Sequence, residues 1–165
     1  MFRNPFRRRP LRDVSQETPK VLIASEGRRF SEDAIQTAAR LARGHGGSVR
    51  VLTVARLWGT SFGLPNPGLR PSKREVAEQE DNVGWTISRL EALGVEADGH
   101  IVVTRTPSRS ILREAACQGC TAIVMGADPR RSWLMASMMW SQEPYRVNRR
   151  AGIPVHLICP AFSSS

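Results

Sequence analysis

Lys20-Val-Leu-Ile-Ala-Ser25 is a continuous apolar run rather than an alternating one, and this feature narrows the fold more than any other. A strand with apolar residues on both sides of its pleat must be covered on both faces, which is the condition of a strand inside a parallel sheet. The segment after it has a different period. Ser31 suits a helix N-cap, Glu32 and Asp33 sit where the helix dipole favours acids, and Ile35, Ala38, Ala39, Leu41 and Ala42 form an apolar face. Gly44 and Gly46-Gly47 end the helix, so one βα unit closes by residue 47.

The alternation then recurs along the chain. Ser48 to Ala55 reads as the second strand, followed by a Gly- and Pro-rich loop from Arg56 to Pro71. Ser72 caps a helix running to Leu93, with Val76, Val83, Ile87, Leu90 and Leu93 roughly on one face. Ile101 to Thr104 is the third strand, Pro107 to Gln118 the third helix and Ala122 to Met125 the fourth strand. A last helix falls between Trp133 and Arg149, before a final strand from Ile153 to Ile158. Right-handed crossovers between parallel strands place helices on both faces, which makes a three-layer α/β domain. Ligands of such open sheets bind beyond the carboxyl ends of the strands where strand order reverses, which points to the loops after strands one, two and four.

The chain's 165 residues suit a single domain. At that size roughly 70% of the unfolded surface is buried, so neither disulfides nor a metal is needed to hold a core. The 41% apolar content excludes a low-complexity polymer, and no apolar run reaches the ~20 residues of a membrane span, so a soluble globular protein is expected. Cys117, Cys120 and Cys159 form no regular framework and read as buried thiols of a reducing, cytoplasmic compartment. The segment from Met1 to Pro10 is basic but lacks the apolar stretch of a secretory signal.

Lys and Arg number 24 against 15 Asp and Glu, a net charge of +9. Residues 1 to 20 hold six of the cations and two of the acids, so this eighth of the chain carries +4. With prolines at 5, 10 and 19 and little to bury, residues 1–19 read as a mobile basic arm, 20–159 as the domain and 160–165 as a short tail.

Four segments, taken in order, give the domain a family likeness. They are Ala24-Ser25-Glu26-Gly27, Thr106-Pro-Ser-Arg-Ser-Ile-Leu112, Ala122-Ile-Val-Met-Gly126 and Arg150-Ala-Gly-Ile-Pro-Val155. Over about residues 20 to 158 the chain resembles the universal stress protein family. The resemblance implies an open five-stranded parallel sheet ordered 3-2-1-4-5 and a homodimer formed through the last strand, residues 153 to 158. Nucleotide-binding members carry Val-Met-Gly-x-x-Gly, nine further residues and Gly-Ser or Gly-Thr, because phosphates need bare backbone N–H groups and a helix N-terminus.

This chain keeps Met125-Gly126 but has Pro129 at the second glycine, where no N–H is available, and Asp128 brings negative charge beside it. Counting back from Pro154 puts Ser141-Gln142 at the Gly-Ser position with a loop two residues longer, whereas a nine-residue spacing puts Met139-Trp140 there. Glu26 stands near the position of an Asp that contacts the nucleoside in nucleotide-binding members. The implied site therefore comprises Glu26, Val54, Met125 and Gly126 for the nucleoside of ATP or AMP, with Arg130, Arg131 and Ser141 toward phosphate. Arg130 and Arg131 either replace the lost amides by charge-assisted hydrogen bonds or are solvated surface charges.

Two segments remain for partners. Trp133-Leu-Met-Ala-Ser-Met-Met-Trp140 is uncharged and apolar almost all round. It either plugs the altered phosphate site or presents Trp133, Met138 and Trp140 to a protein partner around residues 130–142. Arg7, Arg8 and Arg9, with Phe2 and Phe6, suit RNA or a ribonucleoprotein, or an anionic membrane, through residues 1–12; a solubilising tail is the third option. No catalytic set emerges. His45, His100 and His156 are scattered, Cys117-Gln-Gly-Cys120 lies at a helix end where no dipole lowers a thiol pKa, and no base is placed to activate Ser25 or Ser61. The leading expectation is a non-enzymatic stress or regulatory protein acting by partner binding with a degraded nucleotide site. The alternatives are an adenine-nucleotide sensor, with slow hydrolysis as its only chemistry, and a nucleic-acid or membrane binder acting through the arm.

Overall fold

A computed structural model of the protein describes residues 18–44, 46–56, 71–128 and 142–159. Within them the chain runs β1 (Lys20–Ser25), α1 (Glu32–Arg43), β2 (Ser48–Arg56), α2 (Lys73–Ala92), β3 (Glu96–Thr104), α3 (Pro107–Cys117), β4 (Cys120–Gly126), α4 (Glu143–Arg150) and β5 (Val155–Ile158). The strands form one sheet ordered β3-β2-β1-β4-β5, and every pairing is parallel. The sheet order implied by the family resemblance is the order found.

Strand β1 lies at the centre, and its continuous apolar run is explained by what covers each side. Val21 and Ile23 join Ile35, Ala38, Val83 and Leu90 in the core beneath α1 and α2. Leu22 and Ala24 point the other way, into a core with Leu52, Ile111, Ile123 and Val147 beneath α3 and α4. Each such large side chain contributes roughly 1.5–3 kcal/mol on burial. Capping follows the sequence on the α1 and α2 side. Ser31 Oγ accepts from Ala34 N at 3.2 Å, and Ser72 and Glu75 exchange side-chain and backbone bonds in a capping box.

Three expectations change. Strand β3 begins at Glu96 rather than Ile101, because an edge strand tolerates the polar residues Glu96, Asp98 and His100 while its backbone pairs with β2 from Ser48 onward. Strand β5 begins at Val155 rather than Ile153, and its His156 is half-buried because this strand too is an edge. The last helix, Glu143–Arg150, falls, apart from its final residue, in the stretch between Trp133 and Arg149 where the sequence placed it. Of the thiols only Cys120 is buried, which pushes it up to about 11, whereas Cys117 and Cys159 are exposed.

Candidate functional site

The order reverses between β1 and β4, and a cavity of about 200 Å³ opens there beyond their carboxyl ends. The end of β1 and the following turn line one side and Met125 to Asp128 the other, with Pro144 and Ile158 completing the wall. The turn is tightly built. Ser25 Oγ accepts from Arg28 N at 3.0 Å and donates to Arg28 O, while Gly27 takes φ +72°, a conformation that favours glycine. Helix α2 fastens the same turn from outside, with Gln79 Nε2 donating to Gly27 O at 2.9 Å and Asn82 Nδ2 to Arg28 O at 3.0 Å. The sequence reading assigned α2 only an apolar face; Asn82 and Thr86 are buried on it, and Asn82 positions the cavity loop. A polar residue breaking an apolar helix face was the signal available.

An ion pair joins the two sides of the cavity. Arg28 Nη1 lies 2.7 Å from Asp128 Oδ2, and Tyr145 Oη donates to Asp128 O at 2.6 Å, tying the end of β4 to α4. Arg28 is 55% exposed and Asp128 14%, so the pair itself is worth only about 0–1 kcal/mol. Charge matters more than the strength of the pair. A phosphate that drew Arg28 away would face the Asp128 carboxylate at a cost of about 4 kcal/mol per unit charge at 4 Å and an effective dielectric near 20.

Glu143 is a second residue that sequence reasoning missed. It is 2% exposed, and its Oε2 accepts from Ser108 N at 3.0 Å in the first turn of α3, where Thr106 makes no side-chain cap. Its Oε1 lies 2.6 Å from Arg146 Nη1. A carboxylate from α4 therefore caps α3, 35 residues away in sequence.

Of the residues expected at a nucleotide site, Glu26, Met125 and Gly126 line the cavity. A Cβ on Gly126 would stand in open space, so packing does not require glycine at this point. Val54 is instead 1% exposed in the core beneath α3 and is not among the lining residues. Arg130, Arg131 and Ser141 lie outside the described residues, as do Arg7, Arg8, Arg9, Trp133, Met138 and Trp140. Among the described residues there is no group of three His, Cys, Asp or Glu able to hold a metal, and no helix long and apolar enough to cross a membrane.

The family model described as "Universal stress protein family" matches residues 17–158. The chain belongs to the universal stress protein family. Solved structures share its fold. A universal stress protein from Archaeoglobus fulgidus is 22% identical with a TM-score of 0.65, the match covering 85% of this chain and 93% of that one. A structure of the universal stress protein from the same organism in complex with dAMP is also 22% identical, with a TM-score of 0.62 over 85% of this chain and 97% of the other. A universal stress protein in complex with cAMP is 17% identical, with a TM-score of 0.63 over 87% and 98%. No curated protein matches the chain. At these identities the likeness to solved structures is one of universal stress protein fold.

Proposed function

We propose that this universal stress protein works without catalysis, through contacts with partners, and that its cleft is closed to polyphosphates. The observation that carries the reading is the Asp128 carboxylate, held at the cleft by Arg28 at 2.7 Å and followed in sequence by Pro129, which has no N–H to offer phosphate. The cavity of about 200 Å³ is also below the ~300–1,000 Å³ common for small-molecule sites. In this reading the subunits pair through β5, and the 133–140 segment and the basic arm hold the partner.

A second reading keeps a nucleotide, but a monophosphate. Glu26, Met125 and Gly126 on the cavity wall would meet the nucleoside, with Arg130, Arg131 and Ser141 toward its phosphate. The relatives in complex with dAMP and cAMP favour it.

Calorimetric titration of ATP and AMP into the full chain separates these readings. The first expects no heat from either ligand and no phosphate release from ATP. It also expects Asp128→Ala, which removes the repelling carboxylate, to make ATP binding detectable in the same titration. Micromolar AMP binding without ATP binding selects the second reading, and micromolar ATP binding by the unaltered chain overturns the closed cleft.

A further inference from the structure

The two helical layers differ in where their charges go. Helices α1 and α2 carry seven acids and five bases, mixed along their exposed faces. Helices α3 and α4 carry only two acids, and both turn inward. Glu114 lies 2.9 Å from Arg50 of β2, its side chain 16% exposed, and Glu143 caps α3. Arg50 also pairs with Asp98 and meets His100 Nδ1 at 2.8 Å. Burial lowers the Arg50 pKa, but its two carboxylates outweigh that and hold it above its ordinary value. Glu114 is thereby committed to the sheet and cannot serve the surface arginines.

The charged residues that α3 and α4 expose are basic. Arg105 at the end of β3, Arg109 and Arg113 on α3, and Arg146, Arg149 and Arg150 on α4 are all exposed. Among the described residues only Arg146 has a carboxylate partner, Glu143. Arg109 and Arg113 are one helical turn apart, about 6 Å, and so are Arg146 and Arg150. The two helices pack against each other over one sheet face, so these arginines lie on the exposed side of one helical layer.

All six cations are arginine and none is lysine, the choice suited to bidentate recognition of phosphate. Thr106 and Asn148, exposed at the start of α3 and on α4, add the neutral donors that nucleic-acid backbones also attract. Among the described residues the large apolar ones that are exposed, Trp85 and Val103, lie on α2 and β3 rather than on α3 or α4.

We propose that the α3 and α4 face binds the sugar-phosphate backbone of double-stranded nucleic acid without reading its sequence. The contact is separate from the cleft and does not depend on nucleotide binding there. Six arginine contacts correspond to a loss of about a thousandfold in affinity between about 50 and 200 mM salt.

Fluorescence anisotropy of the full chain with a labelled DNA duplex of about two helical turns tests this directly. Arg109→Glu with Arg113→Glu, and Arg149→Glu with Arg150→Glu, should each weaken binding at least about tenfold, and each arginine replaced by Ala should lower the salt slope by about one. Arg40→Glu with Arg43→Glu on α1 should change affinity less than about threefold. An RNA duplex should compete, and a single strand should compete poorly. Absence of duplex binding at low salt would overturn the proposal. So would equal losses from the α1 pair, which would mean net charge rather than a face. Binding that survives the α3 and α4 changes but vanishes on deleting residues 1–12 would assign the contact to the arm. Binding to phosphatidylserine vesicles in place of the duplex would assign the face to membrane.

Discussion

The layer of α1 and α2 and the layer of α3 and α4 cover the same sheet, yet they dispose of their acids in opposite ways. On the first side acids stay at the surface and pair there, as Glu32 does with Arg89 and Glu78 with Arg74. On the second they are drawn inside, Glu114 to a sheet arginine and Glu143 to a helix N-terminus. The surface of the first layer is close to neutral in charge, and that of the second is arginine. A carboxylate used for internal structure is no longer available to neutralise the outside, so the demands of folding on one face set the electrostatics that the same face presents.

In the core the two layers should be alike. Ile35 and Ile111 are both fully buried, one on each side of β1. Replacing either with Ala should cost about 2–5 kcal/mol, and the two costs in urea denaturation should agree within roughly 2 kcal/mol. A much cheaper Ile111→Ala would mean that the arginine layer is loosely packed, and its charge would then reflect poor burial rather than internal use of acids.

The capping arrangements should differ in size. Glu143→Ala leaves Ser108 N and Arg146 without their buried acceptor and should cost about 2–3 kcal/mol. Glu143→Gln, which keeps an acceptor without the charge, should cost about half of that. Ser31→Ala, which removes an exposed local cap on α1, should cost about 1 kcal/mol. If Glu143→Ala costs no more than Ser31→Ala, Glu143 is not what holds α3 and the contrast between the layers fails. Arg89→Ala should have the smallest effect of the series, because both members of its ion pair with Glu32 are exposed to screening solvent.

The βα alternation, the strand buried on both faces and the three-layer class were legible in local patterning. Their causes are short-ranged: a run such as Val21 to Ala24 must be covered on both faces, and a cap such as Ser31 marks where the next helix begins. Strand order came from the family resemblance rather than from periodicity, and the β3 to β5 sequence of neighbours bears it out. Boundaries at the sheet edges were missed, because Glu96 to His100 hold their place by backbone pairing with β2, which side-chain hydrophobicity does not report.

The charged contacts needed the tertiary structure. Arg28 and Asp128 are 100 residues apart, Glu143 and Ser108 35, and Arg50 and Glu114 64. Residue type sets whether an acid can be a partner, but a charge is satisfied by whatever lies within about 4 Å of it, and that distance exists only after the chain has crossed the sheet. Sequence by itself therefore determined the elements and the class of fold. Folding decided which acids were used internally and which arginines were left facing outward, because electrostatic pairing depends on distance in space and not on distance along the chain.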